Sequence, residues 1–469
     1  MSSPKHLPVI DGHVAESSLQ TDGSRKRIIP ADVTGRFMRW RRVVFVLLIG
    51  IWIALPWIPV RGRPAVFLDV ETRSFFLFGL SFNAQDTWLL FFLLAGFFFA
   101  LVFATALLGR AWCGWACPQT VFLEGIFRPI ERLVGGTREQ RMKGIPGAKR
   151  VVLHVLYVLS AMLVAHIFVS YFVSLPRLFS MMRHAPTEHP EAFAWMIAIT
   201  GIFYGNFAWF REQFCVVMCP YGRMQSMLLD DSSLIVGYDE KRGEPRGKKG
   251  STTGDCVDCK RCVVVCPTGI DIRNGLQLDC VACTACIDAC DEIMVKLDRP
   301  KGLIRYDSQE GLRGHKTRWV RPRTIAYAIF FVAGGVVAFF AARTREPFEA
   351  NVLRLPGAPY THQEGAIRNS FEVHLVNKES HAEHYTLSVD VDPGYQTVMP
   401  MKTIELQAQS AQRIPVFVSV PDADFHGETA VKVHILAEGS KAHRDTTVRF
   451  LGAVSPPAPS ASAPTAPAP

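Results

Sequence analysis

The sequence predicts a multi-domain chain with three structural parts: an α-helical membrane bundle, a cysteine-rich domain inserted before the last membrane helix, and a C-terminal all-β sandwich. Five long apolar segments predict the bundle, eight closely spaced cysteines predict the inserted domain, and a two-residue hydrophobic alternation after residue 346 predicts the sandwich. The chain has 469 residues, of which 49% are hydrophobic, and this fraction is high for a soluble protein.

Each of the five apolar segments is long enough to cross a bilayer, which takes about 17–25 residues. The predicted membrane helices cover residues 43–60, 87–109, 151–175, 192–210 and 324–342. The first four form a membrane domain over residues 43–210. A basic, polar leader (1–42) precedes them and is expected to be mobile, so the first segment resembles a signal anchor more than a cleaved secretory signal.

Lysine and arginine alternate between the loops on the two sides of this bundle. Residues 25–42 carry seven of them, 61–86 carry three, 110–150 carry eight, and 177–191 carry two. By the positive-inside rule, we expect the N-terminus and residues 211–323 in the cytoplasm and the residues after 342 on the far side of the membrane. Because the net charge of +9 is explained by topology, we expect membrane lipid, and no nucleic acid, as a partner.

All twelve cysteines are predicted to face the cytoplasm or the membrane edge beside it. They fall in four groups, at positions 113–117, 215–219, 256–266 and 280–290. A disulfide framework would instead place cysteines in the translocated part, which has none. The thiols are therefore predicted to be reduced and available to metals.

The inserted domain is predicted over residues 211–323, with its core at 247–300 behind a basic hinge at 241–250. Its eight cysteines follow the spacing C-x2-C-x2-C-x3-C twice, which is typical of bacterial two-cluster ferredoxins, and the spacing predicts two [4Fe–4S] clusters. In this pattern the fourth cysteine of each run ligates the other cluster. Cluster 1 is thus assigned to Cys256, Cys259, Cys262 and Cys290, and cluster 2 to Cys280, Cys283, Cys286 and Cys266. Zinc knuckles are the alternative, but they usually have fewer, differently spaced cysteines.

Two further cysteine pairs lie just after the second and fourth membrane segments. Cys113 and Cys117 lie in "RAWCGWACPQTVF", and Cys215 and Cys219 lie in "FCVVMCPYGRMQS". Residues four apart share a helix face, so each pair could bind one metal ion if the helix continues that far, but the proline after each pair predicts a helix boundary or kink. Thiolates suit Cu(I), zinc and iron–sulfur clusters, and the sequence leaves open whether the four cysteines hold a further iron–sulfur centre or bind copper.

The C-terminal part is predicted as a β-sandwich over residues 346–452, because short runs such as Ile414, Val416, Val418 alternate apolar and polar residues. The Pro/Ala-rich end (453–469) is expected to be disordered. His154 and His166 lie in the third apolar segment, where an ionisable side chain is a candidate for function and a neutral imidazole bonded to a neighbouring helix is the alternative. The sequence contains no C-x-x-C-H or Walker A motif, which disfavours a c-type cytochrome and an ATP-driven transporter.

These motifs together resemble the CcoG family, also called FixG or RdxA, the cytochrome c oxidase accessory proteins of bacteria. The resemblance covers nearly the whole chain and is carried by "FLDVETRSFFLFGLSFNAQDTW", the two C-x3-C-P motifs and the dicluster segment. It implies an immunoglobulin-like C-terminal sandwich and a cupric reductase role in the biogenesis of cbb3-type cytochrome c oxidase. The resemblance implies that Cys113, Cys117, Cys215 and Cys219 handle copper or relay electrons to it. The partners it implies are oxidase assembly factors, a copper transporter or copper chaperones, and an electron donor that the sequence does not identify.

Two other functions stay open from the sequence. An electron-relay subunit would pass electrons between quinol and a respiratory partner. A non-enzymatic assembly scaffold would dock oxidase subunits or copper chaperones through the β-sandwich, and its clusters would be structural.

Overall fold

The computed structural model describes most of the chain in two compact units, Met1–Gly79 with Thr87–Phe340, and Leu80–Asp86 with Ala341–Pro469. The described residues are 28–60, 62–70, 74–82, 87–247, 254–344, 346–363, 365–379, 381–408 and 410–452. Residues 1–27 of the expected leader, residues 248–250 of the basic hinge and the expected disordered end (453–469) lie outside the described residues.

The first unit is mainly helical. Its α-helices, together with the last one that leads into the second unit, are α1 (Arg36–Ala54), α2 (Thr87–Leu108), α3 (Ala111–Trp115), α4 (Pro118–Phe122), α5 (Arg128–Gly135), α6 (Arg138–Met142), α7 (Gly147–Val169), α8 (Leu175–Arg183), α9 (Pro190–Tyr204), α10 (Pro220–Leu228), α11 (Glu240–Gly243), α12 (Arg261–Val264), α13 (Ala285–Lys296), α14 (Gln309–Leu312) and α15 (Pro322–Arg343). Three π-helical segments occur at Leu123–Phe127, Gly205–Phe210 and Phe214–Met218.

Four helical segments are long and apolar enough to cross a membrane, with mean hydropathy between 1.3 and 2.6. They are Leu89–Leu108, Gly147–Val169, Pro190–Phe210 and Pro322–Ala341. These segments overlap the second to fifth predicted membrane helices and differ from them by a few residues at their ends. The chain is therefore a membrane protein, as its composition predicts.

The first predicted membrane helix (43–60) corresponds to α1, whose bounds are different. Helix α1 begins at Arg36 within the basic leader and ends at Ala54, two residues before Pro56, which has no N–H group to continue the helical hydrogen bonds. After the helix, β1 (Pro59–Val60) and β2 (Arg63–Pro64) form a short antiparallel pair. The uncharged part of α1 is therefore only its second half.

The prediction of a mobile leader up to residue 42 is wrong for residues 28–42. Val33 is buried against Cys283, Ala285 and Ala289 of the cysteine-rich part. The backbone N–H of Ala31 also donates to the carbonyl oxygen of Val264, at 3.0 Å. The hydrophobic residues among the arginines explain the difference, because they provide apolar surface that packs against a neighbouring domain.

Three small strands, β3 (Val66–Asp69), β4 (Ser74–Leu77) and β5 (Leu80–Phe82), form a separate sheet earlier in the chain. The cysteine-rich part is built around a short antiparallel pair, β6 (Ile235–Tyr238) and β7 (Ile304–Asp307). In the β6–β7 register Ile235 faces Asp307 and Tyr238 faces Ile304. Helices α12 and α13 pack on this pair. The compact region therefore begins and ends outside the predicted core of 247–300, because β6 and β7 close it from either side.

The second unit is an all-β sandwich with one shared hydrophobic core. Its strands are β8 (Phe348–Arg354), β9 (Thr361–Gln363), β10 (Ala366–Asn377), β11 (Glu383–Asp390), β12 (Gln396–Val398), β13 (Thr403–Leu406), β14 (Ala411–Pro421), β15 (Thr429–Ala437) and β16 (His443–Phe450). One sheet has the order β12-β14-β10-β8, with β9 beside β10, and the other has the order β13-β11-β15-β16. The prediction of a β-sandwich is confirmed.

The hydrophobic alternation explains why these strands stack. In β10 and β14, Phe371 faces Val416 and Val373 faces Ile414 across the ladder, and all four side chains are buried. The other sheet contributes buried residues such as Val433 to the same core. Residues that alternate with these face away from the core, as the period of two requires.

Candidate metal centres

Two cavities in the cysteine-rich part gather the eight ferredoxin-type cysteines. The first cavity is lined by the members of the first predicted set, which we call the first cysteine site: Cys256, Cys259, Cys262 and Cys290. The second cavity is lined by the members of the other set, which we call the second cysteine site: Cys266, Cys280, Cys283 and Cys286. Cys262 also borders the second cavity. The cavities thus bring the fourth cysteine of each run to the other run's triplet, in the two groups that the spacing predicts.

Both triplets have the same backbone geometry, which explains how three cysteines surround one cavity. The residues before and after the middle cysteine are left-handed in each triplet: Asp258 and Lys260 in one, with φ of 52° and 54°, and Ala282 and Thr284 in the other, with φ of 50° and 64°. Non-glycine residues rarely adopt this conformation. Its occurrence at four equivalent positions indicates loops that are shaped around a ligand.

The fourth cysteine of each set is supplied by the other run. Helix α13 carries Cys286 and Cys290, four residues apart, so that Cys286 borders the second cavity and Cys290 the first. Apolar side chains complete the walls, among them Ile270 and Ile272 in the second cavity and Met294 in the first. This donor set and these walls fit two iron–sulfur clusters, which when bound supply reversible one-electron storage.

Burial sets the protonation of these thiols before a metal binds. It raises the pKa of Cys280 to about 11 and the pKa of Cys262, Cys283 and Cys290 to about 12. Only thiolates ligate metals, so binding must release these protons. Metal and protons therefore compete for these thiols, and metal binding weakens as the pH falls.

The membrane-edge cysteines, which are Cys113, Cys117, Cys215 and Cys219, do not lie on continuous helices. Helix α3 ends at Trp115, and Cys117 has an extended backbone with φ of −62° and ψ of 127°. Cys219 is also extended, with φ of −70° and ψ of 110°. The condition for two helical pairs, that the helix continues through the second cysteine, is therefore not met, and the predicted boundaries are confirmed, because α4 begins at Pro118 and α10 begins at Pro220.

The fold nevertheless brings these four cysteines together. The charge of Cys117 acts on both Cys113 and Cys215, and the charge of Cys219 acts on the other three. Burial and, to a smaller extent, the neighbouring Cys117 raise the pKa of Cys113 to about 11, and its Sγ donates a hydrogen bond of 3.3 Å to Oε1 of the buried Gln225. The pair at 113 and 117 thus faces the pair at 215 and 219 in one cluster of soft ligands.

These four thiols are not arranged around a single ion. Among the residues that the structure describes, no three His, Cys, Asp or Glu side chains converge on one ion. The two ferredoxin-type sites share this property, as expected for thiolates that each bind a different iron of a cluster. The membrane-edge cysteines therefore resemble a cluster site or a transient docking place for a metal more than a preformed mononuclear site.

Polar side chains lock the two C-x3-C-P loops to each other. Gln119 and Asn206 exchange amide hydrogen bonds of 2.6 Å and 3.2 Å, and Gln119 also donates to the carbonyl oxygen of Arg211 at 3.0 Å. Arg128 forms buried ion pairs with Glu124, at 2.6 Å, and with Glu212. The first loop and the second loop are thus held in one orientation.

The first membrane-edge loop lies directly against the second cysteine site. A methyl group on Gly114 would overlap the carbonyl oxygen of Ala282 and lie 2.9 Å from that of Val281. The indole Nε1 of Trp115 donates to the hydroxyl of Tyr306 at 3.1 Å, and this hydroxyl donates to the carbonyl oxygen of Ala282 at 3.2 Å. Ala282 separates Cys280 from Cys283, so the two metal-binding loops are in backbone contact.

Two buried arginines and one carboxylate complete the contact between the first membrane-edge loop and the second cysteine site, which we call the junction. Arg110 donates to the carbonyl oxygens of Cys280, at 3.1 Å, and of Gly222 in the second C-x3-C-P loop, at 3.2 Å. The Nε of Arg41 donates to the carbonyl oxygen of Gly114 at 3.0 Å. In α13, Asp288 accepts hydrogen bonds from the N–H groups of Phe37, at 3.2 Å, and Met38, at 2.7 Å, in the first turn of α1.

Sequence reasoning missed these junction residues. Arg41 belongs to the basic residues that were attributed to topology, and Arg110 belongs to the next basic loop. The signal that was available is the glycine between the first two cysteines, since a glycine next to a metal ligand often marks a close backbone approach. Gln225 carried no signal of its own.

The histidines in the third apolar helix do not join the metal centres. The hydroxyl of Tyr204 lies 2.9 Å from Nδ1 of His154, and His166 donates from Nδ1 to the carbonyl oxygen of Met162 in its own helix, at 2.8 Å. His154 therefore has the bond to a neighbouring helix that the alternative interpretation describes. We assign neither histidine a role in metal binding.

Comparison with known families matches three parts of the chain. Residues 210–309 match a 4Fe-4S dicluster domain, and residues 89–136, which include the first membrane-edge pair, match a 4Fe-4S binding domain. Residues 338–453 match the Ig-like fold at the C-terminus of FixG. The chain is thus a membrane iron–sulfur electron-transfer protein with an immunoglobulin-like domain.

Related proteins match along nearly the whole chain. The nitrogen fixation protein FixG of Rhizobium meliloti is 32% identical, over 89% of this chain and 91% of that protein. Protein RdxA of Cereibacter sphaeroides is 33% identical, over 79% of this chain and 83% of that protein, and protein RdxB of the same organism is 32% identical, over 91% and 97%. The chain belongs to the FixG family, together with RdxA and RdxB.

Proposed function

We propose that the protein reduces Cu(II) to Cu(I) at the membrane-edge cysteines, with electrons supplied by the two ferredoxin-type centres, for copper delivery and assembly of a cbb3-type cytochrome c oxidase. The observation that carries this proposal is the backbone contact between Gly114 and Ala282, which joins the loop of Cys113 and Cys117 to the second cysteine site. The second cysteine site thus lies beside the four soft ligands of the membrane edge.

The chemistry of the reduction is balanced by one electron. One electron leaves the iron–sulfur centre, Cu(II) accepts it and becomes Cu(I), and no bond within the protein has to break. Thiolates stabilise Cu(I) over Cu(II) because the thiolate and Cu(I) are both soft. Ligands such as Cys113 and Cys219 therefore favour the product. The open grouping of the four thiols suits a metal that must leave again.

The proposal includes a location and a set of partners. The bundle lies in a bacterial inner membrane, with the N-terminus and the ferredoxin-type part in the cytoplasm and the immunoglobulin-like domain in the periplasm, in accord with the distribution of basic residues. The partners are oxidase assembly factors, a copper transporter or chaperones, and a cytoplasmic electron donor. A membrane-impermeant thiol reagent that labels Cys117 and Cys259 from opposite sides would contradict this arrangement.

A stopped-flow experiment tests the copper reaction. Anaerobically purified full-length protein is reduced and mixed with stoichiometric Cu(II), and we expect bleaching of the iron–sulfur absorbance to reverse as Cu(I) accumulates in a chelator that is specific for it. Cys113→Ser and Cys215→Ser should slow this reaction by at least about tenfold while the iron content stays unchanged. Met142→Leu is the matched control, since it changes an exposed soft side chain outside the two C-x3-C-P motifs and the helices that they begin.

A second candidate function is an electron relay to a quinone or a respiratory partner, with a further iron–sulfur centre at the membrane-edge cysteines. The match of residues 89–136 to a 4Fe-4S binding domain favours it, because this segment contains Cys113 and Cys117. The relay predicts fast reoxidation by a quinone analogue, no response to copper, and more iron than two clusters hold. An assembly scaffold instead predicts that deletion of residues 349–451 alone abolishes oxidase maturation.

A further inference from the structure

Buried arginines act through their charge on the thiols of both ferredoxin-type sites. Arg273 lies beside Cys262 of the first cysteine site, and Arg41 lies beside Cys283 of the second. Only 5% of Arg273 and 1% of Arg41 is exposed to solvent. Buried charges act over longer distances than exposed ones, because the surrounding protein screens them less than water does. The partners of each arginine therefore decide how much positive charge its site experiences.

Arg273 is neutralised by carboxylates. Its Nη1 lies 2.5 Å from an oxygen of Asp258, and its Nη2 lies 2.6 Å from an oxygen of Asp271. A third carboxylate, Asp291, follows Cys290 directly in the chain, and its charge acts on that cysteine. The buried cation of the first cysteine site is thus neutralised, and Lys260 and Arg261, which also border its cavity, are at least partly open to solvent, which screens their charges.

Arg41 has no carboxylate partner within ion-pair distance among the described residues. Its Nε donates to the carbonyl oxygen of Gly114, its Nη1 contacts the Sδ of Met38 at 3.9 Å, and its Nη2 is buried without a hydrogen-bond partner. Its guanidinium also lies 5.0 Å from the centre of the Phe45 ring. A buried cation without an anion is costly, so this position requires negative charge from another source.

Two carboxylates of this region have other partners. Asp288 accepts the N–H groups of Phe37 and Met38, and Glu124, on which the charge of Arg41 also acts, is paired with Arg128 at 2.6 Å. Arg110 adds a second cation, whose charge acts on Cys280, where Asp279 opposes it. Thiolate-ligated iron and sulfide in the second cysteine site would supply the missing negative charge.

We infer that Arg41 gives the centre held by Cys266, Cys280, Cys283 and Cys286 the higher reduction potential of the two, so that electrons enter at the first cysteine site and leave from the second toward the membrane-edge cysteines. Reduction adds one negative charge to a centre, and an uncompensated buried cation stabilises that charge, whereas a neutralised one does not. The exposed Cys259 in the first site and the buried Cys283 against the membrane-edge loop agree with this direction. The inference deepens the proposed function by ordering its electron path, and it does not depend on copper as the acceptor.

Potentiometric titration monitored by electron paramagnetic resonance tests this order in the full-length protein in detergent, without copper. Two midpoint potentials are expected in the wild type. Arg41→Met should lower the higher one and decrease the equilibrium constant for moving an electron from the first centre to the second at least tenfold, which corresponds to about 59 mV. Arg41→Lys keeps the positive charge and should retain most of the difference between the two midpoint potentials. Cys259→Ser and Cys283→Ser assign each signal to its site, since each changes the spectrum of one centre only.

A variant of the first site tests the same inference without altering the junction. Asp258 is half exposed, and asparagine tolerates its left-handed backbone well, so Asp258→Asn should fold normally. Because this variant removes one of the anions around Arg273, it should raise the lower of the two midpoint potentials and narrow the difference between the two centres. If the Arg41→Met protein no longer holds iron, the potentials of Asp258→Asn alone decide whether the inference stands.

Three results would overturn the inference: the higher potential belongs to the first site, Arg41→Met shifts both potentials equally, or Asp258→Asn leaves both unchanged. The copper reaction is measured separately by stopped flow. If Cu(II) is not reduced in that experiment but the two potentials are as predicted, copper is not the substrate and the proposed order of electron transfer still holds.

Discussion

The backbone of Gly114 lies so close to Ala282 that a single methyl group on the glycine would overlap the carbonyl oxygen of the alanine. Gly114 lies between two membrane-edge cysteines, and Ala282 lies between two cysteines of the second cysteine site. The closest approach of the two metal-binding loops is therefore backbone to backbone. No flexible side chain separates them.

Gly114→Ala should separate these loops. Overpacking of this kind costs about 1–3 kcal/mol, and we expect the structure to relieve it by moving the loops apart rather than by unfolding. Reoxidation by Cu(II) should slow while both iron–sulfur signals persist. Gly50→Ala is the control, because nothing lies within 4 Å of a methyl group there. Equal rates for the two variants would show that the contact does not carry electrons.

Asp288→Ala should loosen the attachment of α1 to the cysteine-rich part. The carboxylate accepts two N–H groups in the first turn of α1, and loss of a helix cap typically costs about 0.5–2 kcal/mol. Hydrogen exchange at Phe37 and Met38 should accelerate. Glu292→Ala on the same helix removes only an exposed pair with Lys296 and should leave these amides protected. Protection that survives in Asp288→Ala would contradict the capping role.

Removal of iron by a chelator should unfold the cysteine-rich part and spare the β-sandwich. Metal binding contributes directly to folding where buried thiolates need a counter-charge, whereas the sandwich contains no cysteine and has its own apolar core. Limited proteolysis should therefore cut between residues 254 and 303 first and leave a fragment that contains β8 to β16. Simultaneous loss of both parts would show that the sandwich depends on the metal centres.

Arg128→Met should destabilise the membrane-edge region strongly. It leaves the carboxylates of Glu124 and Glu212 buried without their cation, and the breaking of a buried pair costs about 3–5 kcal/mol. Arg132→Met is the control, because its partner Asp32 is half exposed and such pairs contribute about 0–1 kcal/mol. Thermal denaturation in detergent measures both. The double variant with Glu124→Gln should recover part of the loss.

The same ion pair has a pH dependence with a definite sign. Burial raises the pKa of Glu124, but Arg128 and other nearby arginines outweigh it, so the pKa lies below its ordinary value. The stabilisation is therefore present above the ordinary carboxyl pKa and is lost as the pH falls through the lowered one. The wild type should lose this advantage over Arg128→Met in acid, and an advantage that grows in acid would contradict the assignment.

The sequence predicted what depends on local spacing. The two cysteine runs indicate two ferredoxin-type centres because the ligand geometry of a cubane requires that spacing, and the alternation around Val416 indicates a sandwich because a strand has two faces. The proline after each membrane-edge pair correctly indicates a helix boundary. The same prolines contradict the helical pairs, since a helix that is interrupted before Cys117 cannot present it on the face of Cys113.

What the sequence could not predict depends on contacts between distant segments. Ala282 is 168 residues from Gly114, and no periodicity connects them. Arg41 is one of seven basic residues between positions 25 and 42, and burial separates it from the described Arg36, Arg39 and Arg42, which are exposed. The leader was expected to be mobile because its charges dominate its composition, although Val33 supplies the apolar contact that fixes it.

The cap on α1 has a consequence for how the chain is made. Asp288 follows Met38 by 250 residues, and at about 5–20 residues per second the ribosome needs roughly 12–50 s to produce it. The first helix is therefore synthesised long before its cap, which can form only after three of the four later membrane segments and seven of the eight ferredoxin-type cysteines have been made. In a nascent chain that stalls before this point, α1 lacks its hydrogen bonds to Asp288. The attachment of the helix that is synthesised first therefore depends on the assembly of the inserted domain.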